Sequence, residues 1–165
     1  MTRSFAYKMI SPDSIPDCLK KAERYRLLGE PHEAESVCLD ILQVEPGNQE
    51  CLIFLVLALS DQFRRERRPR VDLAHQYVAE LKDEYQRRYY DAVVRERAAI
   101  AHLDRDTPPA LVFLHFCEAM DGYEEAMEVR PAGDDSAILR WNALLRTIRR
   151  RQLQPGLGPE EYVRA

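Results

Sequence analysis

The sequence predicts an all-α fold of about seven antiparallel helices, and three observations predict it. Apolar residues recur at intervals of three and four along nearly the whole chain, the period of a helix with one buried face. Proline and glycine punctuate the gaps between those stretches, where helices start and stop. Nowhere do β-branched and polar residues alternate for more than a few positions, so no strand is expected.

The elements follow in order. Ser14 with Asp17 reads as a capping pair, and Pro16 sits in the first turn, where its missing N–H matters least. Leu19, Ala22, Tyr25 and Leu28 follow at helical spacing, and Gly29 supplies the stop. Pro31 opens a second helix whose inward face is Ala34, Val37, Cys38, Ile41 and Leu42, ended by Pro46 and Gly47. Asn48 caps a third, through Leu52, Leu55, Val56 and Leu59 to about Phe63. A basic interruption, Arg64 to Arg70, separates it from a stretch without glycine or proline between Val71 and Leu103. One long helix or two consecutive ones satisfy that stripe. Two are favoured, with a break near Lys82–Glu84 where charge clusters. Thr107 then caps a helix begun by Pro108 and Pro109 and running to about Val129. Pro131, Gly133 and Asp134 form a turn, Asp135 or Ser136 caps the last helix, and that helix fades after Arg151.

The organisation expected is an N-terminal arm (1–13), a helical domain (14–152) and a flexible tail (153–165) containing Pro155, Gly156, Gly158 and Pro159. With 165 residues, 45% of them hydrophobic, the chain has material for one domain or one short repeat array. A formal net charge of −4 exerts no overall pull on nucleic acid or an acidic membrane. The amino terminus lacks the apolar segment of a signal peptide, and the run Cys51–Leu59 is too short to span a bilayer. The four cysteines form no close pair and fall within helical patterns, so they read as buried, reduced thiols of a cytoplasmic protein.

Two segments match each other. Ala34 and Ala119 each begin a series continued by Cys38 or Tyr123, Ile41 or Ala126, Leu42 or Met127, Val44 or Val129, and Pro46 or Pro131. A small residue permits close approach of neighbouring helices, larger ones fill the gap, and proline stops the helix before the next pair. The segment Ile15–Asn48, with Ala22, Tyr25, Gly29, Ala34, Leu42, Val44 and Pro46 in place, resembles a tetratricopeptide repeat (TPR). The two alanines are 85 residues apart, where two ideal units would give about 68. The arginine-rich loop and a lengthened fifth helix, from about Glu84 to Leu103, accommodate the excess.

The resemblance implies a TPR-like α-α superhelix, or solenoid, of three helix pairs and a final capping helix. In such proteins the first helix of each pair lines a concave groove that binds a peptide or helix of another protein. Carried onto this chain, the partner-binding residues are Leu19, Glu23 and Arg26, then Glu50 and Phe54, then Asn142 and Arg146. Leu19, Glu23 and Phe54 stand where some TPR proteins carry a lysine-and-asparagine carboxylate clamp. An internal peptide or a partner helix therefore suits the groove better than a chaperone tail.

Tests for chemistry point the same way. No Glu-x-x-His pair exists, and only Asp72/His75 has a carboxylate at that spacing. Cys-x-x-Cys, His-Glu-x-x-His, Gly-x-Ser-x-Gly and phosphate-binding glycine loops are absent. His115 and Cys117 are near in sequence, but residues two apart on a helix point to different sides. Of the tyrosines, Tyr85 and Tyr89 lie on the apolar stripe, and Tyr90 is the one expected to face a partner. The basic run reads as a solvated loop, with docking of an acidic partner as the alternative. The expectation is a non-catalytic adaptor or scaffold without metal or cofactor, binding another protein or peptide and neither nucleic acid nor membrane. The alternatives are a self-assembling homo-oligomeric module and, third, a ligand- or metal-binding bundle using His75, His102 and His115.

Overall fold

A computed structural model describes residues 4–156. The part of the expected flexible tail at 157–165 lies outside the described residues, as do positions 1–3 of the arm. Among the described residues there are seven α-helices and no strand. They are α1 (Ile15–Leu27), α2 (Pro31–Val44), α3 (Gln49–Asp61), α4 (Val71–Ala79), α5 (Glu84–Leu103), α6 (Pro109–Glu128) and α7 (Ser136–Arg151). The stretch 71–103 is two helices, as favoured. Asp83 makes the break by accepting the Gln86 N–H at 2.8 Å, which satisfies one of the orphan donors of the α5 amino terminus.

Asn48 caps α3 as its residue type predicts, accepting the Cys51 N–H at 2.9 Å. Gly29 ends α1 with φ +76°, a left-handed conformation that a Cβ would strain. Three expected caps are corrected. Ser14 sits in a helical conformation at the end of a 3-10 turn (Pro12–Ser14) and donates its hydroxyl to the Ser11 carbonyl instead. Thr107 turns its hydroxyl to His102 at 3.3 Å, because the prolines after it offer no N–H to cap. At α7 neither Asp135 nor Ser136 caps with its side chain; the carboxylate of Asp134 accepts the Ser136 N–H at 2.9 Å.

Side-chain contacts fix the direction of each helix. Arg26 near the end of α1 meets Asp61 at the end of α3 at 2.9 Å, and Asp61 meets Arg97 in the second half of α5 at 2.7 Å. Those three helices therefore run parallel to one another, and α3 touches both α1 and α5. Gln49, at the start of α3, accepts the Lys82 N–H just past the end of α4 at 2.8 Å, so α3 and α4 are antiparallel. Arg88 early in α5 donates to the Glu125 carbonyl late in α6 at 3.0 Å, making that pair antiparallel as well. In this arrangement α2 packs on both α1 and α3, α4 on both α3 and α5, and α6 on α5 and α7.

Two apolar clusters fill the interior. One joins α1 to α4 through Leu19, Cys38, Ile41, Leu55, Leu59 and Phe63, and the other joins α5 to α7 through Tyr85, Phe116, Tyr123 and Leu144. Helix α5 is the wall between them: Val94 and Ala101 face the first cluster, and Ala92, Val93 and Ala99 face the second. Its contact with α6 is close because Gly122 meets Ala92, where an added Cβ would come within 3.1 Å of the alanine methyl. Ala34/Ala119, Cys38/Tyr123 and Ile41/Ala126 are all fully buried, whereas Pro46 and Pro131 are both exposed. The two self-matching segments thus bury the same positions.

Candidate functional site

The stripe Leu19–Glu23–Arg26 on α1 and the stripe Glu50–Phe54–Leu57–Asp61 on α3 both follow spacings of three and four. Each therefore presents one face, and the two faces meet because α1 and α3 run parallel and touch. Near the starts of these helices the seam opens into a groove of about 740 Å³, floored by Leu19 and Phe54 and edged by Glu23, Glu45 and Glu50. Pro12, Ile15 and Val44 extend its apolar wall. Lys20 also lies at this edge, but its ammonium is engaged by Asp17 at 3.1 Å. Four of the seven residues expected to line the binding surface, Leu19, Glu23, Glu50 and Phe54, are brought together here.

Farther along the same α3 face, where it meets α5, the surface turns basic. Arg26 and Arg97 share the Asp61 carboxylate, and Arg97 also donates to the Leu57 carbonyl at 2.9 Å and the Ser60 hydroxyl at 2.7 Å. A second opening of about 300 Å³ is lined by Ser60, Asp61, Arg64, Arg97, Ile100 and Arg140. Burial lowers the pKa of Arg97 against the pull of Asp61, and the charges of Arg26 and Arg140 add to the lowering. Arg26 is thus placed on the expected face, committed to Asp61.

The remaining two expected residues, Asn142 and Arg146 on α7, are not brought to the groove. Asn142 lies two residues beyond Arg140 on the helix, about 200° around it, and it is Arg140 that α7 turns toward α5, donating to Glu96. Glu96 is the residue that reading the sequence missed. It is only 3% exposed and accepts hydrogen bonds from both the Tyr123 hydroxyl and the Arg140 guanidinium. At the spacings of three and four between Val93 and Ile100 the α5 stripe carries Glu96 and Arg97 in place of apolar residues, and that break is the signal that marks it. Tyr90 is half-buried, packed against both clusters and edge-on to Tyr89 at 5.1 Å, on the same α5 face as Arg97.

The basic loop is only partly free. Arg64 pairs with Asp104 at 2.6 Å, and Arg70 clasps Glu35 and Glu66. Arg65, Arg67 and Arg68 remain exposed. The histidines of the third alternative do not converge. His75 pairs with Asp91 at 2.7 Å, whereas His102 stacks on His115 at 4.7 Å. Asp91 and His102 are about 16 Å apart along α5. No group of three metal-ligating side chains occurs among the described residues. Two thiols, Cys38 and Cys51, are buried, while Cys18 and Cys117 are half-buried, correcting the expectation of four buried thiols; none is bridged. The hydrogen-bonded Cys38, burial and the carboxylates of Glu45 and Glu50 all push the Cys51 thiol far up, away from thiolate chemistry. No helix of the described residues is long and apolar enough to cross a membrane. No protein-family model, curated protein or solved structure matches the chain.

Proposed function

We propose that the chain is a non-catalytic, cytoplasmic protein-interaction module, a short TPR-like superhelix that receives a peptide or helix of a partner between α1 and α3. The observation that carries this reading is the groove of about 740 Å³ in which Leu19, Glu23, Glu50 and Phe54 meet. Apolar floor and charged rim are the composition of a site that takes a polypeptide through a few anchors. Two further observations support it. The helices α1, α3 and α5 stand side by side in one sense, with α2 and α4 packed across successive pairs. The self-matching segments in α2 and α6 bury corresponding positions.

A photo-crosslinking side chain at Phe54, with a control at exposed Arg67, tests the reading in native lysate. The expected outcome is a discrete adduct from position 54 that disappears when Glu23→Lys is added. Adducts from position 67 alone, or none from either, overturn it. An adduct joining two copies of the chain supports self-assembly instead. Leu27 and Leu28, 80% and 63% exposed at the end of α1, are the observation that favours that second reading.

A further inference from the structure

We infer that the α3 face running from the α1/α3 groove to the opening beside α5 is electrically bipolar and that its occupant is one polypeptide segment with a basic, apolar end and an acidic end about 16 Å apart. This rests on the groove-binding reading and specifies the partner's chemistry. At the end formed by the starts of α1 and α3, Glu23, Glu45 and Glu50 edge the apolar floor. None of the three takes part in an ion pair among the described residues. Glu45 accepts only the Asn48 amide, at 2.9 Å. Lys20, the cation among the described residues that line the groove, is engaged by Asp17. A lysine or arginine beside a large apolar residue answers this end, the apolar group covering Leu19 and Phe54 and the cation meeting the carboxylates.

At the other end the balance reverses. Four guanidiniums, Arg26, Arg64, Arg97 and Arg140, face three carboxylates, Asp61, Glu96 and Asp104. Asp61 is shared between two of the cations, and Glu96 is buried beneath Arg140. Arg64 uses its Nε toward Asp104, which leaves its terminal N–H groups at the rim of the opening. An aspartate or glutamate of the occupant completes this charge balance and takes those donors, the pairing for which a guanidinium fork is built. Both ends lie on one α3 face, and Glu50 and Asp61, eleven residues apart, set the separation. About eleven residues of helix or about five of extended chain span it.

The test is a selection of displayed random peptides of roughly 20 residues, long enough to span that face as a helix, on the folded chain. Peptides eluted from the wild type are expected to share a Lys or Arg next to an apolar anchor and an Asp or Glu at the stated spacing. Phe54→Ala is expected to abolish their binding. Glu23→Lys with Glu50→Lys should weaken a selected peptide about tenfold and, in a fresh selection, exchange the basic end for an acidic one. Arg64→Glu should weaken the same peptide less and act on its acidic end alone. The charge exchanges replace exposed side chains, whereas Phe54 packs partly against the α1–α4 cluster, and helicity by circular dichroism checks that every variant stays folded. Peptides that need Phe54 but show no charge order, or the reverse order, overturn the bipolar inference and leave groove binding standing. Failure to enrich any Phe54-dependent peptide on the folded chain overturns the groove-binding reading with it.

Discussion

Helices α4 and α7 are each held to their neighbours by a guanidinium, and the two attachments differ in where the charge sits. Arg70, at the entrance to α4, reaches Glu35 of α2 at 2.5 and 2.9 Å, Gln62 at 2.9 Å and Glu66 at 2.8 Å. Its side chain is 35% exposed, so this clasp stands at the water's edge. Burial works to raise the Glu35 pKa, but the hydrogen bonds from Arg70 and Gln62 outweigh it and the carboxyl stays below its ordinary value. Arg140 of α7 reaches inward to Glu96, of which only 3% is exposed and which the Tyr123 hydroxyl also holds. The first arrangement keeps its charges partly hydrated. In the second the arginine is itself 40% exposed, and it is the carboxylate, 4% exposed against 14% for Glu35, that gives up hydration and depends on every partner being present. The two fastenings therefore differ in how deeply the carboxylate is buried, while both guanidiniums reach water.

The largest expected effect comes from breaking the inner fastening. Arg140→Ala leaves the Glu96 carboxylate buried with one remaining donor, and a loss of about 3–5 kcal/mol in urea unfolding is expected. Replacing the group as a whole, Glu96→Met with Arg140→Leu and Tyr123→Phe, should recover most of that loss. A single Arg140→Ala costing no more than a surface pair would place Glu96 in water and dissolve the contrast.

Arg70→Ala should cost less, about 1–2 kcal/mol, because water can replace the guanidinium at Glu35 and Glu66. Added salt should weaken the wild-type clasp more than the Arg140 contribution, because Glu96 is the more deeply buried carboxylate. Urea titrations of both variants at low and high ionic strength measure this, and equal salt sensitivity would count against it.

The same contrast explains what could be read in advance. Helix order was legible because its determinants are local: Asn48 caps α3, Gly29 stops α1, and Asp83 separates α4 from α5. The seam was legible as far as helical spacing carries, which is why Leu19, Glu23, Glu50 and Phe54 share one groove. What escaped depends on contacts between distant segments. Glu96 and Arg140 are 44 residues apart, and Arg70 and Glu35 are 35 apart; no local pattern announces either partner. The face that α7 turns to the core was missed for that reason: Arg140 looks like any surface arginine until Glu96 lies opposite. Thr107 failed for a local reason instead: the prolines after it offer no N–H to cap, and its hydroxyl meets His102 five residues earlier.

The smallest effect sharpens the comparison at the far end of α5, where α5 and α6 meet through stacked histidines and not through a carboxylate. Burial lowers the His102 pKa below 6.5, and the nearby His115 and Arg105 lower it further. The unfolded chain therefore binds a proton at His102 more readily than the folded chain does. Stability is fully present above about pH 6.5 and falls as the pH drops toward the lowered folded value. The group is part-exposed, so solvent screening keeps the loss under about 1 kcal/mol. Glu35 and Asp91, whose pKa values are also lowered, begin from 4.5 and 3.8 and lose their contributions in a separate, more acidic window. Thermal melts between pH 7.5 and pH 5, of wild type and His102→Gln, isolate the histidine: about pH 7 and pH 5.5 bracket its unfolded value. The melting temperature of the wild type should fall across that interval and that of the variant should fall less. A variant as acid-sensitive as the wild type would mean that the stacked rings are indifferent to their charge and that other groups set the acid response.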